Sequence, residues 1–184
     1  MENPAEAIKS ELGRVQVYTG DAKGKTTACV GLAVRAAGHG LRTYMGQFMK
    51  ARPTGELTAI RKHLGDYIEI EQYGRGGFVC APGPPEDMDY DLAVKGLARA
   101  GEKLRSGEYH IVILDEINVA VSFGLVTVYD LEKLIIERPE RVELVLSGRN
   151  AHPRIIELAD LVTEMRMIKH YFNQGLASRI GIEE

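Results

Sequence analysis

Six short runs rich in β-branched and other apolar residues recur along the chain: RVQVYT at 14–19, RTYMGQFM at 42–49, YIEIEQY at 67–73, HIVILDE at 110–116, RVELVLS at 141–147 and LVTEMRMI at 161–168. Between them, 25–37, 55–64, 87–105, 128–137 and 153–159 carry apolar residues at helical spacing, several ending near glycine or just before proline. Alternation of this kind predicts an α/β fold, a mostly parallel sheet with helices on both faces.

At 184 residues the chain has the length of one ordinary domain, and it shows no repeat, low-complexity tract or dividing linker. A single domain over 1–184 is expected, with 1–12 as a peripheral N-terminal helix that is either a lid, a dimer contact or a free surface helix. The net charge of −3 gives no general attraction for nucleic acid or an anionic membrane, so neither is expected as a partner. Only Cys29 and Cys80 occur, without the spacing of a disulfide framework, zinc site or redox motif. With a polar, acidic start in place of an apolar signal and no run near the roughly 20 apolar residues of a membrane span, a cytoplasmic location is expected.

The stretch VYTGDAKGKTTACVGLAVRAAG, Val17 to Gly38, reads as a phosphate-binding loop (P-loop) between a strand and a helix. Gly20 and Gly24 enclose Asp21, Ala22 and Lys23, three residues where the usual pattern has four, and Thr19 stands where the first glycine would fall. The glycines let backbone N–H groups of Gly20 to Thr27 face one anion, Lys25 adds a mobile positive charge, and Thr26 offers a hydroxyl to Mg²⁺. The competing view is an ordinary glycine turn.

A metal beside a phosphate loop needs a carboxylate. HIVILDE delivers Asp115 and Glu116 to the carboxyl end of a strand, where ligands bind in such sheets. One or both would hold Mg²⁺ or its water shell; alone, the pair would read as a helix cap or a solvated strand end. The guanine-reading pattern NKxD is absent, which favours ATP. The residues so far support an ATP-binding protein: a kinase, an ATPase motor, a nucleotide switch or another transferase. The segment from Tyr73 to Asp87, YGRGGFVCAPGPPED, has four glycines and three prolines and is expected to be an irregular loop with a role of its own.

Taken in order, TGDAKGKTT, GGFVCAPG, VILDEIN, LSGRNAHPRIIELADLVTEMR and KHYFNQGLASRIGIEE resemble the P-loop family of ATP:corrinoid adenosyltransferases, from about Gly13 to the end. The resemblance implies a RecA-like P-loop domain that moves the 5′-deoxyadenosyl group of ATP onto the Co(I) of a corrinoid, cobalamin or a precursor, and releases triphosphate. It implies a reversed ATP, for which a trimmed loop is suited, a homodimer, and a reductase such as a flavoprotein to supply the electron. Its implied catalytic residues are Lys25, Glu116 and Phe78, the last an aromatic wedge that strips the lower axial ligand from cobalt; other members carry tryptophan where this chain has Cys80.

Co(I) is a strong nucleophile that loses no proton on attack, so no general base is required. His39, His63, His110, His152 and His170 share no spacing and are expected to be surface or capping residues. Arg149, at a strand's carboxyl end, is a candidate for gripping triphosphate or a corrin side chain, with a plain salt bridge as the alternative. Glu164 is a weaker candidate for positioning the nucleotide. Two other readings compete: a P-loop kinase or ATPase working on the γ-phosphate, which yields ADP, and a non-enzymatic ATP-dependent switch, which is indifferent to corrinoid.

Overall fold

The computed structural model describes residues 11–75 and 84–183. Its strands are β1 (Val15–Thr19), β2 (Thr43–Phe48), β3 (Ile68–Tyr73), β4 (Ile111–Asp115), β5 (Glu143–Ser147) and β6 (Leu161–Glu164). Its helices are α1 (Lys25–Ala37), α2 (Gly55–His63), α3 (Asp87–Arg105), α4 (Ile117–Ser122), α5 (Val128–Ile136) and α6 (Pro153–Leu158), and a 3-10 turn spans Tyr171–Gln174. All six strands are parallel, in the order β3-β2-β4-β5-β1-β6. This is the expected α/β fold of the P-loop kind.

Side chains alternate across the sheet, and each face has its own core. Ile111, Ile113, Met45 and Val145 pack with Cys29, Ala33 and Ala36 of α1 and with Leu57 and Ile60 of α2. Val112, Leu114, Tyr44, Phe48 and Leu146 pack on the opposite face with Ala93, Ala100 and Leu104 of α3 and Leu131 and Ile135 of α5. The middle strand β4 is therefore buried throughout, which is why its sequence is a continuous apolar run without alternation. Burying each such aliphatic side chain stabilises the fold by about 1.5–3 kcal/mol.

Polar side chains at the amino edge set the register. The Glu143 carboxylate accepts from the backbone N–H groups of Gly13 (2.9 Å) and Arg14 (2.8 Å), and Asp160 accepts from that of Val15 (2.8 Å). These contacts tie the start of β1 to its neighbours β5 and β6, which fixes where the following loop emerges.

Two elements differ from expectation. The last strand stops at Glu164 and does not run to 168, because β1 ends at Thr19 and offers no further ladder; Met165 bonds the loop after β1 instead. A short helix, α4, follows β4 directly. Residues 76–83, including Phe78 and Cys80, and residues 1–10 of the expected N-terminal helix lie outside the described residues. The flanks of 76–83 are fastened together: Arg75 donates to both carboxylate oxygens of the buried Asp89 (2.7 and 2.6 Å) and pairs with Glu86, and Glu86 and Asp89 form the capping box of α3.

Candidate active site at the carboxyl edge

β1 turns into the loop at Gly20, which adopts φ +95°. A Cβ there would lie 2.3 Å from the Met165 carbonyl oxygen, so only glycine fits. Met165 buttresses the loop in return: its N–H donates to the Thr19 carbonyl (2.8 Å) and its carbonyl accepts from the Ala22 N–H (3.0 Å). The short loop is thus held against the extension of β6. Gly24 caps α1 at φ +121°, with no side-chain cap, leaving the positive end of a thirteen-residue helix facing the loop.

Lys25 is 6% exposed, and its Nζ donates to the carbonyls of Gly20 and Ala22, both at 2.7 Å. Burial lowers its pKa, the positive Arg149 adds to this, and Glu116, Asp21 and Asp115 oppose it. Lys25 thereby clasps the loop it belongs to. Asp21, Lys23 and Thr27 are exposed. Lys23 reaches the C-terminal segment, donating to the Ile182 carbonyl (2.8 Å) with Glu183 at 3.8 Å.

Behind the loop sits Asp115, fully buried at the end of β4. Its Oδ1 accepts from Ser147 (2.6 Å) and Thr26 (3.0 Å); its Oδ2 accepts from Lys50 (2.7 Å), Gln47 (3.2 Å) and Thr26 (3.1 Å). Lys50 Nζ also donates to the Thr26 hydroxyl at 3.1 Å. Burial alone would lower the Lys50 pKa, but Asp115, with Glu116 and Glu56 behind it, outweighs that and holds it above its ordinary value.

Glu116 adopts the left-handed conformation (φ 62°), which turns the chain sharply from β4 into α4, and its N–H donates to Ser147 Oγ (3.1 Å). Its carboxyl pKa is raised, first by burial and then by Asp115, while Lys50, Lys25 and Arg149 pull it down. The other non-glycine residues with positive φ, Met49 and Asn150, follow β2 and β5 at this same edge. Strain of this kind costs on the order of 1–3 kcal/mol per residue and collects at functional sites.

The structure therefore brings Gly20, Ala22, Gly24, Lys25, Thr26, Asp115 and Glu116 together. Arg149 lies just beyond β5, exposed and without an ion pair among the described residues, yet near enough to act on the charges of Lys25 and Glu116. Glu164 pairs in register with Thr19 beside the loop and is exposed. Of the histidines, His152 and His170 cap α6 and the 3-10 turn through Nδ1, His110 Nδ1 accepts from the Arg42 N–H, and His39 and His63 are exposed. The buried Cys29 thiol is pushed up by burial and is in no disulfide.

Lys50, Gln47 and Ser147 belong to the constellation and do not follow from the sequence motifs. Each stands at or just past a strand's carboxyl end, the same positional signal that marked Asp115. Asn118, on α4, is buried with neither its amide oxygen nor its nitrogen bonded among the described residues. A hollow of about 580 Å³ beside β3 and α3, lined by Arg61, Glu71, Tyr73, Lys95, Arg99 and Glu102, is of mixed charge and is bounded by none of the phosphate-loop residues.

A glycine loop opening a helix, a lysine at its base and a threonine bonded to a buried strand-end aspartate stand together at this edge, residue types that could hold an anion and a hard cation. The family profile described as ATP:corrinoid adenosyltransferase BtuR/CobO/CobP matches residues 11–183. The chain belongs to this family. It is 38% identical over 175 residues to a Sinorhizobium corrinoid adenosyltransferase, covering 94% of this chain and 81% of that one. It is 33% identical over 178 residues to the corrinoid adenosyltransferase of Escherichia coli K12 (95% and 87% covered) and 30% identical over 178 residues to the corrinoid adenosyltransferase CobA of Salmonella typhimurium LT2 (95% and 87%). Its activity is that of an ATP:corrinoid adenosyltransferase. No helix among the described residues is long and apolar enough to cross a membrane.

Proposed function

We propose that the carboxyl edge of the sheet binds Mg-ATP with its triphosphate in the short loop and presents carbon 5′ to a Co(I) corrinoid. In this step the cobalt lone pair forms the Co–C bond, the C5′–O bond breaks, and the electron pair leaves on the triphosphate. Negative charge grows on the leaving group, so the catalytic demand is for fixed positive charge. Lys25 supplies it at the base of the loop, the N-terminus of α1 supplies a partial charge, and Arg149 extends the positive field. The observation that carries this reading is the Lys25–loop and Thr26–Asp115 arrangement in a chain of this family.

Magnesium suits the residues present. The Thr26 hydroxyl and the Asp115 carboxylate are adjacent, a cationic ammonium already lies against both, and Glu116 stands next to them. No cluster of three or more His, Cys, Asp or Glu among the described residues forms a closed metal cage. That fits an ion bound through one or two protein oxygens plus phosphates and water. When bound it would neutralise charge on the triphosphate; Thr26 and Glu116 would hold it, with Asp115 orienting Thr26.

We assign Phe78, outside the described residues, the wedge role that the family resemblance implies, with the Arg75–Asp89 clasp fastening the flanks of its loop. A single domain, a cytoplasmic location and an electron-supplying reductase complete the proposal, and the acceptor is cobalamin or a precursor. A homodimer is supported by apolar residues exposed on β6 and the C-terminal segment, including Leu161, Val162, Ile168 and Phe172. The test is anaerobic: protein, ATP and chemically reduced cobalamin, followed by the corrinoid absorption spectrum with Mg²⁺ or with chelator. Conversion to the adenosyl form that stops in chelator and slows sharply in Lys25→Ala supports the reading. Conversion at equal rates in both would rule out the assigned roles of Mg²⁺ and Lys25.

A further inference from the structure

We propose that Lys50 occupies the metal's position until Mg-ATP arrives and is then exchanged for the divalent cation, so that this side chain competes with the metal while keeping its ligands in place. The inference rests on the reading of Thr26 as a metal ligand and adds a residue that the phosphate-loop motifs do not include.

The argument is one of lone pairs. The Thr26 hydroxyl sits 3.0 and 3.1 Å from the two Asp115 oxygens, so its proton is directed at that carboxylate. What remains on Thr26 Oγ1 is acceptor capacity, and Lys50 Nζ donates into it at 3.1 Å. A metal bound to Thr26 needs the same lone-pair side of that oxygen. The ammonium also lies 2.7 Å from Asp115 Oδ2, where the metal's water shell would have to bond. A divalent ion and an ammonium placed there would repel strongly, so they exclude one another.

Exchange has a route. Lys50 follows β2 by two residues, after the positive-φ turn at Met49, and its side chain is 26% exposed, so a long, flexible side chain can carry its ammonium toward water. An acceptor is at hand: Glu56 lies 3.5 Å from the Gln47 amide that also donates to Asp115. Until the exchange, Lys50 balances the buried charge of Asp115 and keeps Thr26 aimed.

The test measures ATP affinity by calorimetry at a series of free Mg²⁺ concentrations for wild type, Lys50→Met and Lys50→Arg. Removing the competitor and unbalancing Asp115 both favour the metal, so the Mg²⁺ midpoint of Lys50→Met should fall about tenfold, the equivalent of one charge-assisted hydrogen bond. Lys50→Arg keeps the charge and should stay near the wild-type midpoint. A merely structural lysine would lower ATP affinity at every Mg²⁺ concentration without moving the midpoint, and an unmoved or raised midpoint overturns the proposal. Should Lys50→Met not fold, the ¹³C-dimethyl-lysine spectrum of ATP-saturated wild type, assigned with Lys50→Arg, decides: the Lys50 resonance should move in step with added Mg²⁺, and a stationary one overturns the exchange. ATP affinity indifferent to Mg²⁺ in wild type and variants alike would remove the metal reading itself, and the exchange with it.

Discussion

Replacing Asp115 by Asn keeps the shape of the side chain and removes its charge. Both carboxylate oxygens face donors: Ser147 and Thr26 on one side, Lys50, Gln47 and Thr26 on the other. An amide must turn its NH₂ toward one of these sets. Lys50 and Gln47 Nε2 cannot accept, so the NH₂ must face Ser147 and Thr26, whose hydroxyls then have to turn from donating to accepting, and the Lys50 charge loses its carboxylate partner. Breaking a buried ion pair by removing one partner costs about 3–5 kcal/mol, and because the Lys50 side chain is 26% exposed and can reach water, the lower end of about 3 kcal/mol applies. For a chain of this size that is a fall in Tm of roughly 6–12 °C. Thermal unfolding checks the stability and calorimetry with Mg-ATP checks the site, where Thr26 loses its orienting acceptor and affinity should drop. A variant with wild-type Tm and wild-type Mg-ATP affinity would refute the account of Asp115 as the hub of the constellation.

Three further outcomes follow from named contacts. Gly20→Ala places a Cβ 2.3 Å from the Met165 carbonyl at φ +95°, so it should destabilise the protein by at least about 2 kcal/mol in denaturant unfolding; a loss under about 0.5 kcal/mol would mean that the loop is not clasped by Met165. Glu116 has a raised pKa in the folded protein, so its neutral form contributes stability that is complete below the unfolded value near 4.5 and is lost as pH rises through the folded value. Wild type should therefore lose stability relative to Glu116→Gln as pH rises across that window, and parallel curves would contradict the burial of Glu116. Asn118→Leu removes an amide with no partner among the described residues, so stability should hold or rise; a loss above about 2 kcal/mol would reveal a partner for that amide.

The fold was legible because its signals are local. The continuous apolar run of β4, the loop-to-helix passage at Gly24 and the proline opening α6 each mark an element without reference to its neighbours. α4 escaped because the turn before it is made by Glu116 in a left-handed conformation, where a glycine or asparagine would have announced it. The site was half legible. Lys25, Thr26 and Asp115 sit in recognisable strings, whereas Ser147 enters because β5 lies between β1 and β4 in the sheet, an order that no local pattern encodes. Gln47 lies in β2 and Lys50 just past its end, on the far side of β4, and a chain read one segment at a time gives no reason to join them to the loop. Met165 is likewise a loop buttress only because β6 pairs with β1.

The central claim is that the short loop holds a triphosphate that departs whole. The most direct measurement is ³¹P NMR of the products of an anaerobic turnover with Mg-ATP and chemically reduced cobalamin, with the adenosylated corrinoid quantified in the same sample. Inorganic triphosphate equal in amount to adenosylcobalamin, with no ADP, is the predicted result. ADP and orthophosphate formed at the same rate with or without the corrinoid would contradict it and return the site to γ-phosphate chemistry.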